Sequence, residues 1–458
     1  MKTPKTPWPV EPTDEMTWSD TAVSRCILGE DAACREPIPR AWAATCAARA
    51  RHLRNILRES YVGLGPRSSQ SSWGRGHLVD WLLASIVARE NVLLLGAPGV
   101  AKTEMVQRTF ELLGLTTPGS DGVDYPEGKS TAELREWWLK RSEQERGRQK
   151  YFRYLLSRFT QPEELFGPVE ISLLRQGSLV RVNFGLMTGP GVRAAFLDEI
   201  FKASSSILNS LLTLSNERCY FNWGGMERSD LVTLIGASNE LPGGFHKGSF
   251  GLGSAGEDFN TLYAFLDRFP VRLLVPTASG LHDEDPAASP LAEASEMAIR
   301  REVGRFVDGT HFPSHSEGTA SLNDLLLLGR CCMQQQAPHW PEDDRLHTLF
   351  DPSGLHRFRR SFLRVAADLQ QEGTEPASRR ITWTVSPRKV KAIYKIALAH
   401  AVITDDGFDG THTVRTPSHE QLEVFYLIWD SPIARRSLEH TARELAAQHH
   451  DVRGRRVA

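Results

Sequence analysis

GAPGVAKT, residues 96–103, directly follows the apolar run NVLLL (91–95) and directly precedes the helix-like stretch 104–113. A glycine-rich turn between a buried strand and a helix aims successive backbone N–H groups into a concavity, and the helix N-terminus adds partial positive charge. Polyphosphate fits such a cradle, so Gly96, Ala97, Pro98, Gly99, Val100, Ala101, Lys102, Thr103 and Glu104 form the candidate nucleotide-binding segment. In the P-loop pattern Lys102 reaches the β- and γ-phosphates and the Thr103 hydroxyl holds Mg²⁺. Ala101 stands where the general pattern has glycine, which predicts a helical backbone there that tolerates a small side chain.

The 458 residues suffice for one large and one smaller domain, because single cores rarely grow beyond about 250 to 300 residues. A formal charge of −2 and a pI near 6.7 provide no global basic field, so sequence-independent nucleic-acid binding is not expected. The apolar stretch 81–95 is interrupted by Arg89, Glu90 and Asn91, and no segment of this kind spans a bilayer. The Pro-rich start carries no apolar core of a signal peptide. Cys26, Cys34, Cys46, Cys219, Cys331 and Cys332 show no paired spacing and read as reduced thiols of a cytoplasmic protein.

Outward from the loop, residues 40–61 and 77–88 read as helices, with a Gly/Ser-rich stretch (62–76) between them. Residues 116–130 are turn-rich and 131–150 highly charged, which predicts an exposed insertion. Apolar runs at 194–197, 231–237 and 271–275 alternate with helical periodicity, as at 207–217. That alternation predicts an α/β fold, a parallel sheet covered on both faces. Residues 277–290 and 309–320 read as linker and loop, and 322–336, 355–370, 388–403 and 420–447 as helices.

In AAFLDEIFKA (194–203) a strand delivers Asp198 and Glu199 at its carboxyl end, where ligands of open α/β sheets bind. Asp198 would hold Mg²⁺ through water, and Glu199 would orient or deprotonate an attacking water. The run 231–238 leads to Asn239, whose amide can bond both the γ-phosphate and the water. Arg268 and Arg272 flank the start of the last strand; each either forms a surface ion pair or covers a nucleotide held by a neighbouring subunit. In TVSPRKVKAIYKIA (384–397) Ser386 reads as N-cap and Pro387 as the first helical residue. Arg388 in that first turn opposes the helix dipole, so it is either solvated or placed to meet an anion.

In this order, GAPGVAKT, YLLSRFTQPEELFGPVEI, FLDEIFKASSSILNSLLTLSNER, GASNELP, LDRFPVRL and SPRK resemble the AAA+ ATPases, most closely the RavA-like branch of the MoxR family. The resemblance covers residues 73–275 and, more weakly, 382–400. It implies a five-stranded parallel core with helices on both faces (62–276), after an N-terminal segment (1–61) and before a helical lid (277–410) and a C-terminal helix with a polar tail (411–458). It further implies that the cofactors are ATP and Mg²⁺, that 96–103 is Walker A, and that Asp198 and Glu199 are Walker B. Asn239 would be sensor 1, Arg268 the arginine finger and Arg388 sensor 2, with adenine near residues 73–77. Residues 170–192 fall at the helix-2 insert, a β-hairpin or loop facing the centre of a ring, with Gly177 and Gly185 at its turns. Similar proteins form homo-oligomeric rings, commonly hexamers, and remodel protein partners, often with von Willebrand factor A domains. The chain departs from the family in a longer charged segment (116–150), a glycine-rich stretch (243–256) and a stretched lid (277–380).

Two other classes compete with a remodelling ATPase. A nucleotide-gated scaffold would not need Glu199 and Arg268. A DNA-directed motor would carry a basic stripe on the ring-facing insert, where only Arg175, Arg181 and the adjacent Arg193 occur. The Asn-Lys-x-Asp string that reads guanine in many GTPases is absent.

Overall fold

A computed structural model describes residues 38–61, 75–96, 98–117, 131–146, 148–175, 177, 179–239, 265–275, 318–334, 348–372, 385–415, 419–428 and scattered positions from 438 to 447. Two helices, α1 (Arg40–Tyr61) and α2 (Arg75–Val87), lead to β1 (Val92–Leu95) and then α3 (Lys102–Leu112). Next come α4 (Thr131–Arg146), β2 (Lys150–Leu155), α5 (Pro162–Phe166), α6 (Ile171–Arg175), β3 (Val192–Asp198) and α7 (Ser205–Glu217). Strands β4 (Cys219–Asn222), β5 (Gly225–Arg228), β6 (Thr233–Ser238) and β7 (Val271–Leu274) precede α8 (Leu322–Gln334), α9 (Pro352–Glu372), α10 (Pro387–Thr404) and α11 (His419–Leu422).

The sheet is five-stranded in the order β2-β3-β6-β1-β7, and β1, β2, β3 and β6 pair in parallel. β1 and β6 are buried along their whole length, and β3 up to Asp198, which only a sheet covered on both faces allows. β2 was not expected. Its sequence KYFRYL buries only Tyr151 and Phe152 and leaves Arg153 and Leu155 exposed, as an edge strand allows, so no continuous apolar run announced it. A separate antiparallel hairpin, β4–β5, follows α7.

By its contacts the chain divides into two compact units, one of residues 91–243 and 249–269, the other of residues 1–90, 244–248 and 270–458. In the second unit, arginines of α1 satisfy carbonyls at the end of α10, where a helix leaves them without intrahelical partners. Arg54 Nη1 donates to Ile403 O (2.6 Å), and Arg51 donates to the carbonyls of Asp405 (3.0 Å) and Phe408 (2.8 Å). Trp81 of α2 stacks on His400 of α10 at 4.0 Å.

Asp80 on α2 is buried against Arg58 and Arg54, with Asp406 of like charge nearby, and burial outweighs the arginines, pushing its carboxyl up to about 6. The native state therefore binds more protons than the unfolded chain between the ordinary carboxylate range and about pH 6, so this group's contribution to stability falls as pH rises through that window. Urea melts from pH 4 to 6.5 should show Asp80→Asn removing a decline on the order of 1 to 3 kcal/mol. An unchanged slope would contradict this account of the site.

Several expectations need correction. The charged segment 131–150 is not simply exposed: α4 buries Leu134, Trp138, Ser142 and Glu145 along one stripe, and its last residues lead into β2. Of the two forms expected for 170–192, hairpin or loop, the structure has the loop, pinched by an antiparallel bridge between Val169 and Arg181, with the short α6 inside it and positive φ at Gly177 and Gly185. The helix expected over 420–447 turns into a 3-10 helix at Glu423–Ile428. Arg272 is buried rather than at the surface and donates to Ile428 O at 3.3 Å. Trp73, the glycine-rich stretch 243–256, the linker 277–290 and nearly all of 116–130 lie outside the described residues.

Candidate functional site

The parallel register places three strand ends together. Leu95 of β1 sits opposite Ser238 of β6, and the Gly96 N–H donates to Ser238 O at 3.3 Å. β3 lies on the other side of β6 and ends at Asp198. The loop after β1, the Asp198–Glu199 pair and Asn239 thus converge at the carboxyl edge of the sheet, where α/β folds bind ligands.

Within the loop, Gly99 adopts φ +77°, and a Cβ there would meet no atom within 4 Å, so conformation rather than space calls for glycine. Ala101 corrects the sequence reading. Its backbone is left-handed (φ 59°, ψ 28°), and the helix starts only at Lys102. A methyl group in that region costs roughly 1 to 2 kcal/mol. Ala101→Gly should therefore leave nucleotide affinity and stability close to wild type, whereas the β-branched Ala101→Val should weaken nucleotide binding by roughly tenfold or more. Titration with a fluorescent nucleotide distinguishes them; equal affinities would show that the left-handed turn is not needed. Pro98 is exposed, Val100 is buried, Glu104 sits half-buried in the first turn of α3, and Ala97 lies outside the described residues.

Lys102 is buried and donates from Nζ to Gly96 O (2.7 Å) and Asn239 Oδ1 (2.6 Å). Burial pulls its ammonium below the usual lysine range, while the Asp198 and Glu199 carboxylates pull the other way. The Thr103 hydroxyl donates to Asp198 Oδ2 at 2.8 Å. The Asn239 amide nitrogen donates to Glu199 Oε1, so Asn239 bridges the lysine and the carboxylate. Glu199 is itself left-handed (φ 54°), which turns the chain from β3 into the 3-10 turn Ile200–Lys202. Lys202, which the sequence reading had not singled out, brings Nζ to 3.4 Å from Glu199 Oε1. Its signal was available: it stands three residues past Glu199 in DEIFK, one turn on.

Arg268 occupies the turn before β7, its guanidinium 3.5 Å from Asp267 and its carbonyl accepting from Asn91 Nδ2 at 3.0 Å. Arg388 is exposed in the first turn of α10, which belongs to the other compact unit. The capping there is as expected, with Ser386 Oγ accepting from Lys389 N at 3.3 Å and Pro387 opening the helix.

A hydroxyl and a carboxylate side by side offer the hard oxygen ligands Mg²⁺ prefers, and the buried ammonium of the preceding residue, Lys102, suits phosphate oxygens. The residues present therefore fit a magnesium nucleotide. Strand order, loop and strand-end carboxylates together define a P-loop domain of the AAA+ class.

The comparisons sharpen that class. Residues 140–284 match the family model of the MoxR domain in the MoxR–von Willebrand factor A–β-propeller ternary systems, a match that begins past the P-loop and includes Asp198, Glu199, Asn239 and Arg268. Two uncharacterized proteins of Methanocaldococcus jannaschii are each 35% identical over 198 residues, 43% of this chain. The matched part spans only 39% of the length of those relatives. The crystal structure of a candidate ATPase from Cytophaga hutchinsonii superimposes with a TM-score of 0.50 at 15% identity, covering 87% of this chain and 96% of that one, which is a likeness of fold. Over residues 140–284 the chain is thus similar to the MoxR domains of those systems, and its likeness to the solved structure is one of fold.

Proposed function

We propose that the chain is an Mg²⁺-dependent ATPase that assembles with copies of itself into a ring, of hexameric type by resemblance, and uses hydrolysis to remodel a protein partner. The observation that carries this reading is the Lys102–Asn239–Glu199 chain beside the Thr103–Asp198 pair, because phosphate, water and metal ligands then lie in one constellation. Thr103 and Asp198 would hold Mg²⁺, Asp198 through water, and the ion would supply positive charge toward the phosphate oxygens. Lys102 receives the phosphates and so exchanges Asn239 for a stronger acceptor. Asn239 is then available to the γ-phosphate and the water. Glu199 takes the proton as the water oxygen bonds to phosphorus and the bond to the β-phosphate oxygen breaks.

Arg268 would act on the nucleotide of the neighbouring subunit, and Arg388 on that of its own. The family model describes MoxR domains that work with von Willebrand factor A and β-propeller proteins, which supports a von Willebrand factor A domain protein as partner. Among the described residues no helix is long and apolar enough to cross a membrane. The test is phosphate release with ATP, with and without Mg²⁺. Saturable release that needs the metal and disappears in Lys102→Ala supports the reading. Release unaffected by Lys102→Ala contradicts it.

A further inference from the structure

We propose that α4 is a strut that couples the strands bearing Asp198, Glu199 and Asn239 to the two segments that stand out beyond the sheet, the 168–182 loop and the β4–β5 hairpin. The proposal rests on the catalytic reading above, because it concerns what nucleotide chemistry at those strand ends moves.

At its C-terminal end α4 is fastened to the starts of three strands. Glu145 Oε2 accepts from Lys150 Nζ of β2 at 2.5 Å. Arg146 Nε donates to Asp230 Oδ2 at 3.2 Å, and that same oxygen accepts the Gly191 N–H at 2.9 Å. Asp230 lies just before β6 and Gly191 just before β3, so one carboxylate ties the helix to the strands that end at Asn239 and at Asp198. The approach is close enough to demand glycine. Gly191 has φ +79°, and a Cβ there would come to 2.2 Å from Glu145 O and 2.6 Å from Arg148 O.

Toward its N-terminal end α4 meets both projecting segments. Leu134 packs with Leu173 and Val180 of the loop, and Trp223, at the hairpin turn, closes the same cluster. Trp138 lies edge-on to Trp223 at 6.3 Å and tilted against Phe184 at 6.0 Å, and the Arg135 guanidinium sits 5.9 Å from the Trp223 ring. Loop and hairpin also touch directly, through Arg181 N donating to Asn222 Oδ1 at 2.7 Å. Each projecting segment is too small to hold a position alone, since an isolated hairpin is marginal in water.

This junction is not at its most favourable. The indole N–H groups of Trp138 and Trp223 are buried without an acceptor among the described residues. A buried donor left without an acceptor forfeits the bonds it made to water in the unfolded chain. Such a junction lies at the low-stability end of the molecule and is suited to a second arrangement. The fastened end has its carboxylates paired, Glu145 with Arg141 and Lys150 and Asp230 with Arg146, although Ser142 Oγ and Arg141 Nε there are also buried without a hydrogen-bond partner among the described residues. The geometry is that of a rigid rod anchored at the strand starts and loosely seated against the parts that would meet a partner.

The experiment is hydrogen exchange on the full chain, without nucleotide and with ATP plus Mg²⁺, in a Glu199→Gln background that halts turnover. Exchange at 168–182 and 219–228 should change roughly fivefold or more on ATP binding. Trp138→Ala should reduce that change to under about twofold, with ATP affinity kept within about threefold, and Trp138→Phe should restore it. Arg146→Ala, which loosens the fastened end without touching the core, should reduce it in part. The strut is refuted if Trp138→Ala keeps the full ATP-dependent change, or if the parent binds ATP and neither segment responds. Failure of the parent to bind ATP would overturn the functional reading instead, and the affinity measurement separates the two.

Discussion

Replacing Glu199 with glutamine is expected to keep ATP binding within about threefold of wild type and to lower hydrolysis by roughly 10²- to 10⁴-fold. The amide keeps the size of the side chain and can still meet Asn239, but it cannot accept the water's proton. On the proposed reading binding is spared, because the phosphates would fall to Lys102 and the loop, and Glu199 reaches Lys102 through Asn239. Single-turnover hydrolysis with bound nucleotide is the measurement to use, since it removes product release from the rate. If turnover stays within a few-fold of wild type, Glu199 is not the base. If affinity and hydrolysis fall together, the Asn239 bridge is serving binding rather than chemistry.

Arg268→Ala is expected to lower turnover by roughly 10³-fold or more, the usual weight of an arginine that stabilises charge on the transferring phosphoryl group. ATP affinity should change little, because in the isolated chain Arg268 is held by its neighbour Asp267 and by a backbone contact to Asn91. Sedimentation must accompany the kinetics: a variant that no longer assembles would also lose activity, and only loss with assembly intact assigns the residue to catalysis. Arg268→Lys should recover little, since an ammonium lacks the planar fork of donors.

Much of the core is readable directly from residues. The runs at 91–95, 194–197, 231–237 and 271–275 all became strands because buried parallel strands are continuously apolar, and those at 194–197 and 231–237 lead to Asp198 and Asn239 as the reading had placed them. β2 escaped because an edge strand need not be continuously apolar. The hairpin escaped because its strands are four residues each, although Trp223-Gly224 between them, followed by Gly225, is a turn signal. The burial of α4 was masked by its charge: Leu134, Trp138, Ser142 and Glu145 form a narrow stripe in a helix whose other positions are mostly polar. The left-handed backbone at Ala101 and Glu199 could not be inferred from residue type, because neither alanine nor glutamate favours it. Tertiary bonds impose that geometry at Glu199, where Asn239 and Lys202 both hold its carboxylate. Among site residues, the contact of Thr103 with Asp198 and that of Lys102 with Asn239 bring together positions far apart in the chain that motif order alone had paired.

The claim that each site is finished by another subunit is tested most directly by mixing the two inactive variants. A ring containing both Glu199→Gln and Arg268→Ala subunits regains complete sites wherever an intact Glu199 in one subunit faces an intact Arg268 in the next. Turnover of an equimolar, co-assembled mixture should rise to roughly a quarter of the wild-type rate, the share of interfaces that random mixing completes. A mixture no more active than the mean of the two variants alone, under conditions where they demonstrably co-assemble, would contradict catalysis across the subunit boundary.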